Sequence, residues 1–337
     1  MPVRRGRYTI EFMNPPIIAG AATVVGKKEG EGPLGGEFDK IYDDTSVGER
    51  SWEKAESAMH RDAVVRALAA ADVSAADVDI FFGGDLLNQC VGTAFGIKDM
   101  DMPYCGLYGA CSTMSLSLAM AALVTESGIV QTALASTSSH FCSAEKQFRM
   151  PLEYGGQTPP SSQRTATAAG AAVVKSVGEG VKIQSVILGR LKDLGVKDSN
   201  NMGAAMAPAA CSTIIDFLRD TNTVPTDYDL ILTGDLGAVG SQLLIELLQK
   251  QENTDISSVH ADCGLMLYDT DEQDVNSGAS GCGCSASIVC SHILRRLNAG
   301  ELKKVFFVGT GAMLSAITPL QGESIPGIAH GVLLVSG

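Results

Sequence analysis

The sequence predicts an α/β protein made by duplication, with two similar βαβαβ halves forming a layered α-β-α-β-α core. Two internal echoes and one central stretch carry that prediction. The segment from Asp77 to Leu86, DVDIFFGGDL, recurs as DYDLILTGDL from Asp227 to Leu236, 150 positions later. A second echo relates Gly128 and the strand Thr132 to Ser136 to Gly300 and Lys304 to Val308, 172 positions later. Self-similarity at such distances marks repeated supersecondary units, and the change of offset places a longer insertion in the second half. The central stretch is Gly106 to Val124, GLYGACSTMSLSLAMAALV, a glycine-bearing turn feeding an apolar helix. At the second offset Cys111 falls opposite Gly283, so two glycine-led helices are expected to pack at a pseudo-twofold centre. The expected halves are residues 1–177, which carry Cys111, and residues 178–337, joined near Lys175 to Gly180.

The elements follow in chain order. Residues 8–25 hold YTIEF and PPIIAGAATVV, which read as a strand entering a turn; residues 26–44 are glycine-rich and charged, hence loop. Ser51 to Ala71 reads as a helix N-capped by Ser51, with Ala55, Ala58, Met59, Val65 and Leu68 as its apolar stripe and Glu53, Glu56 and Asp62 on its polar side. Ile80 to Phe82 form a short buried strand closed by Gly83 and Gly84. Before the second copy of that strand, Ile215 and Leu218 repeat Val65 and Leu68. Strands alternating with helices in both halves argue for mixed or mostly parallel sheets with buried helices.

Composition narrows the function classes. A formal charge of −13 argues against nucleic acid and against direct docking on anionic lipid. The basic start, MPVRRGR, lacks the apolar region of a signal peptide. No apolar run approaches the roughly 20 residues of a membrane span, so membrane association is expected to go through partners. The nine cysteines are odd in number, irregularly spaced and without a C-x-x-C. That pattern argues against a disulfide framework or a structural zinc site and fits a reducing interior.

Cys111 is the reactive candidate. At a buried helix N-terminus, unpaired N–H groups and the dipole favour an anion, and a thiol there is expected to be acidified. Cys111 is then a nucleophile or the floor of an anion pocket; the competing assignment is a buried small hydrophobe.

Two βα halves with a cysteine at the first central helix resemble the thiolase fold, and Gly109-Ala110-Cys111-Ser112 is similar to the nucleophile motif of its ketoacyl-synthase-III branch. In that branch a histidine and an asparagine complete the site. Here Gly234 or Asp235 stands at the histidine's place and Cys282 at the asparagine's. Claisen condensation needs a proton-handling partner and a stabilised enolate, which an aspartate would repel. Longer segments resemble the stage V sporulation protein AD family of spore-forming bacteria. They include Gly84-Asp85-Leu86-Leu87-Asn88-Gln89, Ser138-Ser139-His140, Ala144-Glu145-Lys146-Gln147-Phe148-Arg149, Met206-Ala207-Pro208-Ala209-Ala210, Ser280-Gly281-Cys282 and Ile328-Ala329-His330-Gly331. The resemblance implies a non-catalytic protein that binds dipicolinic acid, alone or as its calcium chelate, for uptake into the developing spore. It also implies no other cofactor, a homodimer paired through a central strand, and a peripheral location at the spore inner membrane with the other uptake proteins.

A flat pyridine with two carboxylates calls for donors at both ends and an apolar slot between them. The residues expected to bind it are Cys111, His140, Gln147, Arg149, Asp235, Cys282 and His330, with Arg149 as a bidentate clamp. Lys146 and Arg164 are secondary donors. His330 is placed in a loop, GESIPGIAHG, and His60, His260 and His292 are read as structural. Asp85 and Asp235, twins in the repeat, have backbone bonding at strand ends as their competing role. The alternative function is an acyl-thioester condensing or acyl-transfer enzyme using Cys111 with His330 or His140 as base.

Overall fold

The structure, a computed structural model, describes residues 2–148 and 158–337. A hairpin of β1 (Val3–Arg5) and β2 (Thr9–Glu11) precedes β3 (Ile17–Gly26), α1 (Lys27–Gly30), β4 (Lys40–Tyr42) and α2 (Trp52–Ala70). Then come β5 (Ile80–Gly84), α3 (Val91–Ile97), β6 (Tyr104–Gly106), α4 (Thr113–Glu126), β7 (Thr132–Ser139), α5 (Phe141–Phe148), β8 (Arg164–Thr165) and β9 (Ala168–Lys175). The second series is β10 (Val181–Ile187), α6 (Met202–Thr221), β11 (Leu230–Thr233), α7 (Gly237–Glu252), β12 (His260–Asp262), α8 (Cys263–Met266), β13 (Ala279–Ser280) and α9 (Cys282–Ile288). A π turn carries α9 into α10 (Leu294–Asn298), and β14 (Lys304–Ala312) and β15 (Gly327–Val335) close the chain.

Strand order makes the duplication explicit. One half runs β6-β5-β7-β9-β3 and the other β12-β11-β14-β15-β10, each with its first three strands parallel and its last two antiparallel. The two join where Ile17 and Ile18 of β3 pair antiparallel with Lys182 and Val181 of β10. Helices α4 and α9 pack against each other and against strands of the sheets, while α2 covers one outer face and α6 the other. The result is the expected five-layer stack.

Period-2 alternation explains how each sheet serves two layers. Phe81 and Leu134 face the α2 side with Met59 and Val64, whereas the adjacent Phe82, Ala133 and Ala135 face the central helices. In the second half Ile231 and Phe306 face α6 with Ile214 and Phe217, and Leu232 and Phe307 turn inward. Small residues on α4 (Ala119, Ala121, Ala122) are fully buried and bring the layers close.

Four local expectations need correction. Residues 26–44 contain α1 and β4, because β4 pairs with the end of β3. Ser51 does cap α2, accepting from the Lys54 amide at 3.3 Å. The apolar stripe, however, runs through Ala55, Met59, Ala63, Val64, Ala67 and Leu68, while Val65 is 47% exposed. Glu56, expected on the polar side, is buried, since Ser138 and Ser143 donate to its carboxylate at 3.2 and 2.6 Å. His330 lies within β15 opposite Gly309, not in a loop.

Candidate functional site

The site is built where the turn before α4 meets β13, β14 and α5. Ala110 has φ of 50°, a left-handed conformation that non-glycine residues rarely adopt. The turn is pinned by its own hydroxyls: Ser112 Oγ donates to the Gly109 carbonyl at 2.6 Å and Thr113 Oγ1 to the Ala110 carbonyl at 2.6 Å. Gly311 of β14 backs it, and a Cβ there would lie 2.3 Å from the Gly109 oxygen. A side chain at that position would push the cysteine turn out of place.

Cys111 is thereby fixed on the wall of a small cavity of about 40 Å³. Leu86, Ala144, Phe148, Met202, Ala312 and Leu314 supply apolar walls; Tyr108, Cys111, Glu145, Thr165 and Ser280 supply the polar groups. A mostly apolar lining with a few polar groups is the character of a small-molecule pocket.

The chemistry around the sulfur differs from the expectation. Cys111 Sγ lies 3.7 Å from Ser280 Oγ, whose hydroxyl in turn bonds the Asp235 carboxylate at 2.9 Å. Burial, and then the charge of Asp235, raise the thiol well above its ordinary value, so the expected acidification by the helix is overturned. The nearby amides are also spent, since Ser112 and Thr113 donate to the Gly109 and Ala110 carbonyls at 3.1 and 3.2 Å.

Asp235 organises the underside of the wall. One oxygen accepts from Ser280 Oγ and the Gly281 amide, both at 2.9 Å; the other accepts from Thr310 Oγ1 at 2.8 Å. Burial pushes its carboxyl up to about 7 against the pull of these donors. Its twin Asp85 bonds locally, accepting from the Leu87 amide and from the amide and hydroxyl of Thr93. Cys282 packs in one apolar cluster with Cys111, Leu86 and Ala144, and its thiol donates to the Ser138 carbonyl at 2.9 Å. Cys111, Asp235 and Cys282 therefore come together.

The other expected residues are placed elsewhere. His140 Nδ1 accepts from the Cys142 amide at 3.2 Å, which leaves Nε2 to donate to the Thr45 carbonyl at 2.8 Å, and the ring stacks on Trp52. Gln147 ties down the loop after β5 through Asn88. His330 Nδ1 accepts from the Gly189 amide at 3.1 Å, and burial lowers it to about 4. Lys146 pairs with Glu53, and Arg164 stacks over Phe141 at 3.8 Å. Arg149 lies outside the described residues. His60, His260 and His292 face Ser138, Thr233 and Glu37 respectively. None of the five histidines lines the cavity. Ser280, Glu145, Phe148, Met202 and Leu314 were not singled out as site residues. Ser280, Glu145 and Phe148 had a signal, their places in the Ser280-Gly281-Cys282 and Ala144-to-Arg149 segments.

Among the described residues, no helix is long and apolar enough to cross a membrane, and no cluster of three potential metal-ligating side chains occurs.

The fold is the thiolase-like fold of the ketoacyl-synthase-III type. The 3-oxoacyl-[acyl-carrier-protein] synthase III of Aquifex aeolicus superposes with a TM-score of 0.57 at 15% identity, covering 95% of this chain and 99% of the other. Cerulenin-bound OleA of Xanthomonas campestris does so with a TM-score of 0.60 at 12% identity, covering 96% and 99%. Within that class the family model "Stage V sporulation protein AD" matches residues 6–335. Stage V sporulation protein AD of Bacillus subtilis is 44% identical over 328 residues, 97% of this chain and 96% of that one. The chain belongs to the stage V sporulation protein AD family.

Proposed function

We propose that this sporulation protein binds dipicolinic acid, alone or as its calcium chelate, in the cavity beside Cys111, and that it performs no acyl chemistry. The observation that carries the reading is the set of partners around the sulfur: a carboxylate, a hydroxyl and a second thiol, with every histidine of the chain engaged elsewhere. A buried neutral thiol with no histidine on the cavity wall lacks the usual base that would make it a nucleophile. The apolar walls suit a pyridine ring, and the described lining contains no Lys, Arg or His, with Glu145 as its charged member. That lining favours the calcium chelate, whose metal neutralises the two carboxylates and accepts a further carboxylate ligand. Isothermal titration with dipicolinate, with and without calcium, tests the reading. Heat of binding that disappears in an Ala144→Trp variant supports it, and absence of heat under both conditions refutes it.

The acyl-transfer reading draws on the solved relatives, which include 3-oxoacyl synthases, and on the left-handed turn at Ala110. Intact mass after incubation with acyl-CoA thioesters decides it, because an adduct on Cys111 favours the enzyme. The reading extends to a homodimer and to a peripheral position at the spore inner membrane among the uptake proteins. Strand β6 supports the dimer: it ends its sheet, with Tyr104 and Tyr108 exposed nearby. Light scattering giving only monomer at micromolar concentration would contradict it.

A further inference from the structure

Asp235 sits directly behind the cavity wall, and one of its donors, the Ser280 hydroxyl, is itself a wall group with the Cys111 thiol 3.7 Å beyond it. While Asp235 is ionised it holds the Ser280 hydroxyl, so an arriving anion meets that donor turned away and a buried negative charge behind it. The titratable groups that face Asp235 do not offset that charge. They are Asp262 from β12, which accepts from Thr233, Leu236, Gly237 and Gly264, and the thiols of Cys111, Cys263 on α8 and Cys284 on α9. The Gly281 amide and Thr310 hydroxyl remain as fixed donors on the far side.

Resting on the binding reading above, we propose that an anionic ligand enters together with a proton taken up by Asp235, which frees the Ser280 hydroxyl to donate to a ligand carboxylate. Ser280 is then a ligand-contacting residue and Asp235 its positioning residue. No covalent bond to carbon or sulfur changes; one proton passes from solvent to a carboxylate oxygen. Thr310 Oγ1 also accepts the Asp235 amide at 3.0 Å and keeps the backbone in place when the side chain is neutral. Burial has already raised Asp235 to about 7, so the uptake falls in an accessible range. Dipicolinate stays doubly ionised there, because ordinary carboxyls titrate near 4.

The sign follows from linkage. Below about pH 7 the proton is already on Asp235 and affinity is level; above it, affinity falls by up to about tenfold per pH unit. Titration with calcium-free dipicolinate at about pH 6 and about pH 8.5 reads this as a dissociation constant some ~30-fold weaker at the higher pH. Heats in buffers of different ionisation enthalpy report about one proton taken up at alkaline pH. Asp235→Asn is expected to abolish the pH dependence. Ser280→Ala is expected to weaken binding at both pH values while keeping it. Binding that is equal at both pH values, without proton uptake, overturns the inference and leaves the binding reading standing. Absence of binding at every pH overturns that reading and the inference with it. Should Asp235→Asn fail to fold, the buffer comparison on the unaltered protein decides alone.

Discussion

Replacing Asp235 by Asn should change stability with pH in a calculable way. The carboxyl, ordinarily near 3.8, is raised to about 7 by burial. A raised acid stabilises the folded state fully below its unfolded value, and that contribution is lost as pH rises through the folded value. The full loss is about 4 kcal/mol above about pH 8, at roughly 1.4 kcal/mol per pH unit. By about pH 5 near 2 kcal/mol of it has already gone, because the unfolded carboxyl ionises first. Asparagine keeps the shape and most of the bonds. Its oxygen can accept from Ser280 and Gly281, and its NH2 can donate to Thr310 Oγ1, which reverses its own hydroxyl. The loss from that rearrangement is about 1 kcal/mol and independent of pH. Chemical denaturation of both proteins at about pH 5 and about pH 8.5 should show the variant gaining about 3 kcal/mol relative to the parent across the interval. A difference that does not change with pH would refute the placement of an ionisable, dry Asp235 behind Cys111.

Other outcomes follow from the same geometry. Gly311→Ala should destabilise by about 1–3 kcal/mol, since its Cβ would meet the Gly109 carbonyl at 2.3 Å; an unchanged melting temperature would contradict that contact. Cys111 should react with iodoacetamide far more slowly than the part-exposed Cys105 and Cys142 at about pH 8, as its buried thiol stays protonated; mass mapping of labelled peptides checks this. His60 is held neutral by burial, its pKa lowered to about 3, so its contribution to stability is present above about 6.5 and lost as pH falls towards about 3. His60→Gln should flatten the acid limb of the stability profile, as followed by circular dichroism.

The duplication was legible because its strands carry a tight local signature. The copies DVDIFFGGDL and DYDLILTGDL sit in β5 and β11, which occupy the same place in their sheets. The Cys111 turn was legible for a similar reason, since Gly106 and Gly109 announce it in the sequence. The cavity walls were not. Phe148 of α5, Met202 of α6 and Leu314 of the loop after β14 converge only after folding, and no one-dimensional pattern encodes such convergence. Glu56 was misjudged because helical periodicity treats a charged side chain as outward-facing, whereas Ser138 and Ser143 donate to its carboxylate in the interior. His140 and His330 resembled ligand donors by residue type alone; backbone groups of Thr45, Cys142 and Gly189 occupy their ring nitrogens. The expected acidity of Cys111 failed because burial and a neighbouring carboxylate outweigh a helix end.

Crystals grown with calcium dipicolinate would test the central claim most directly. The account predicts a planar ligand between Phe148 and Met202, with a carboxylate against Ser280 and an unmodified Cys111. A ligand seated away from this cavity, or a Cys111 found acylated after exposure to thioesters, would contradict it.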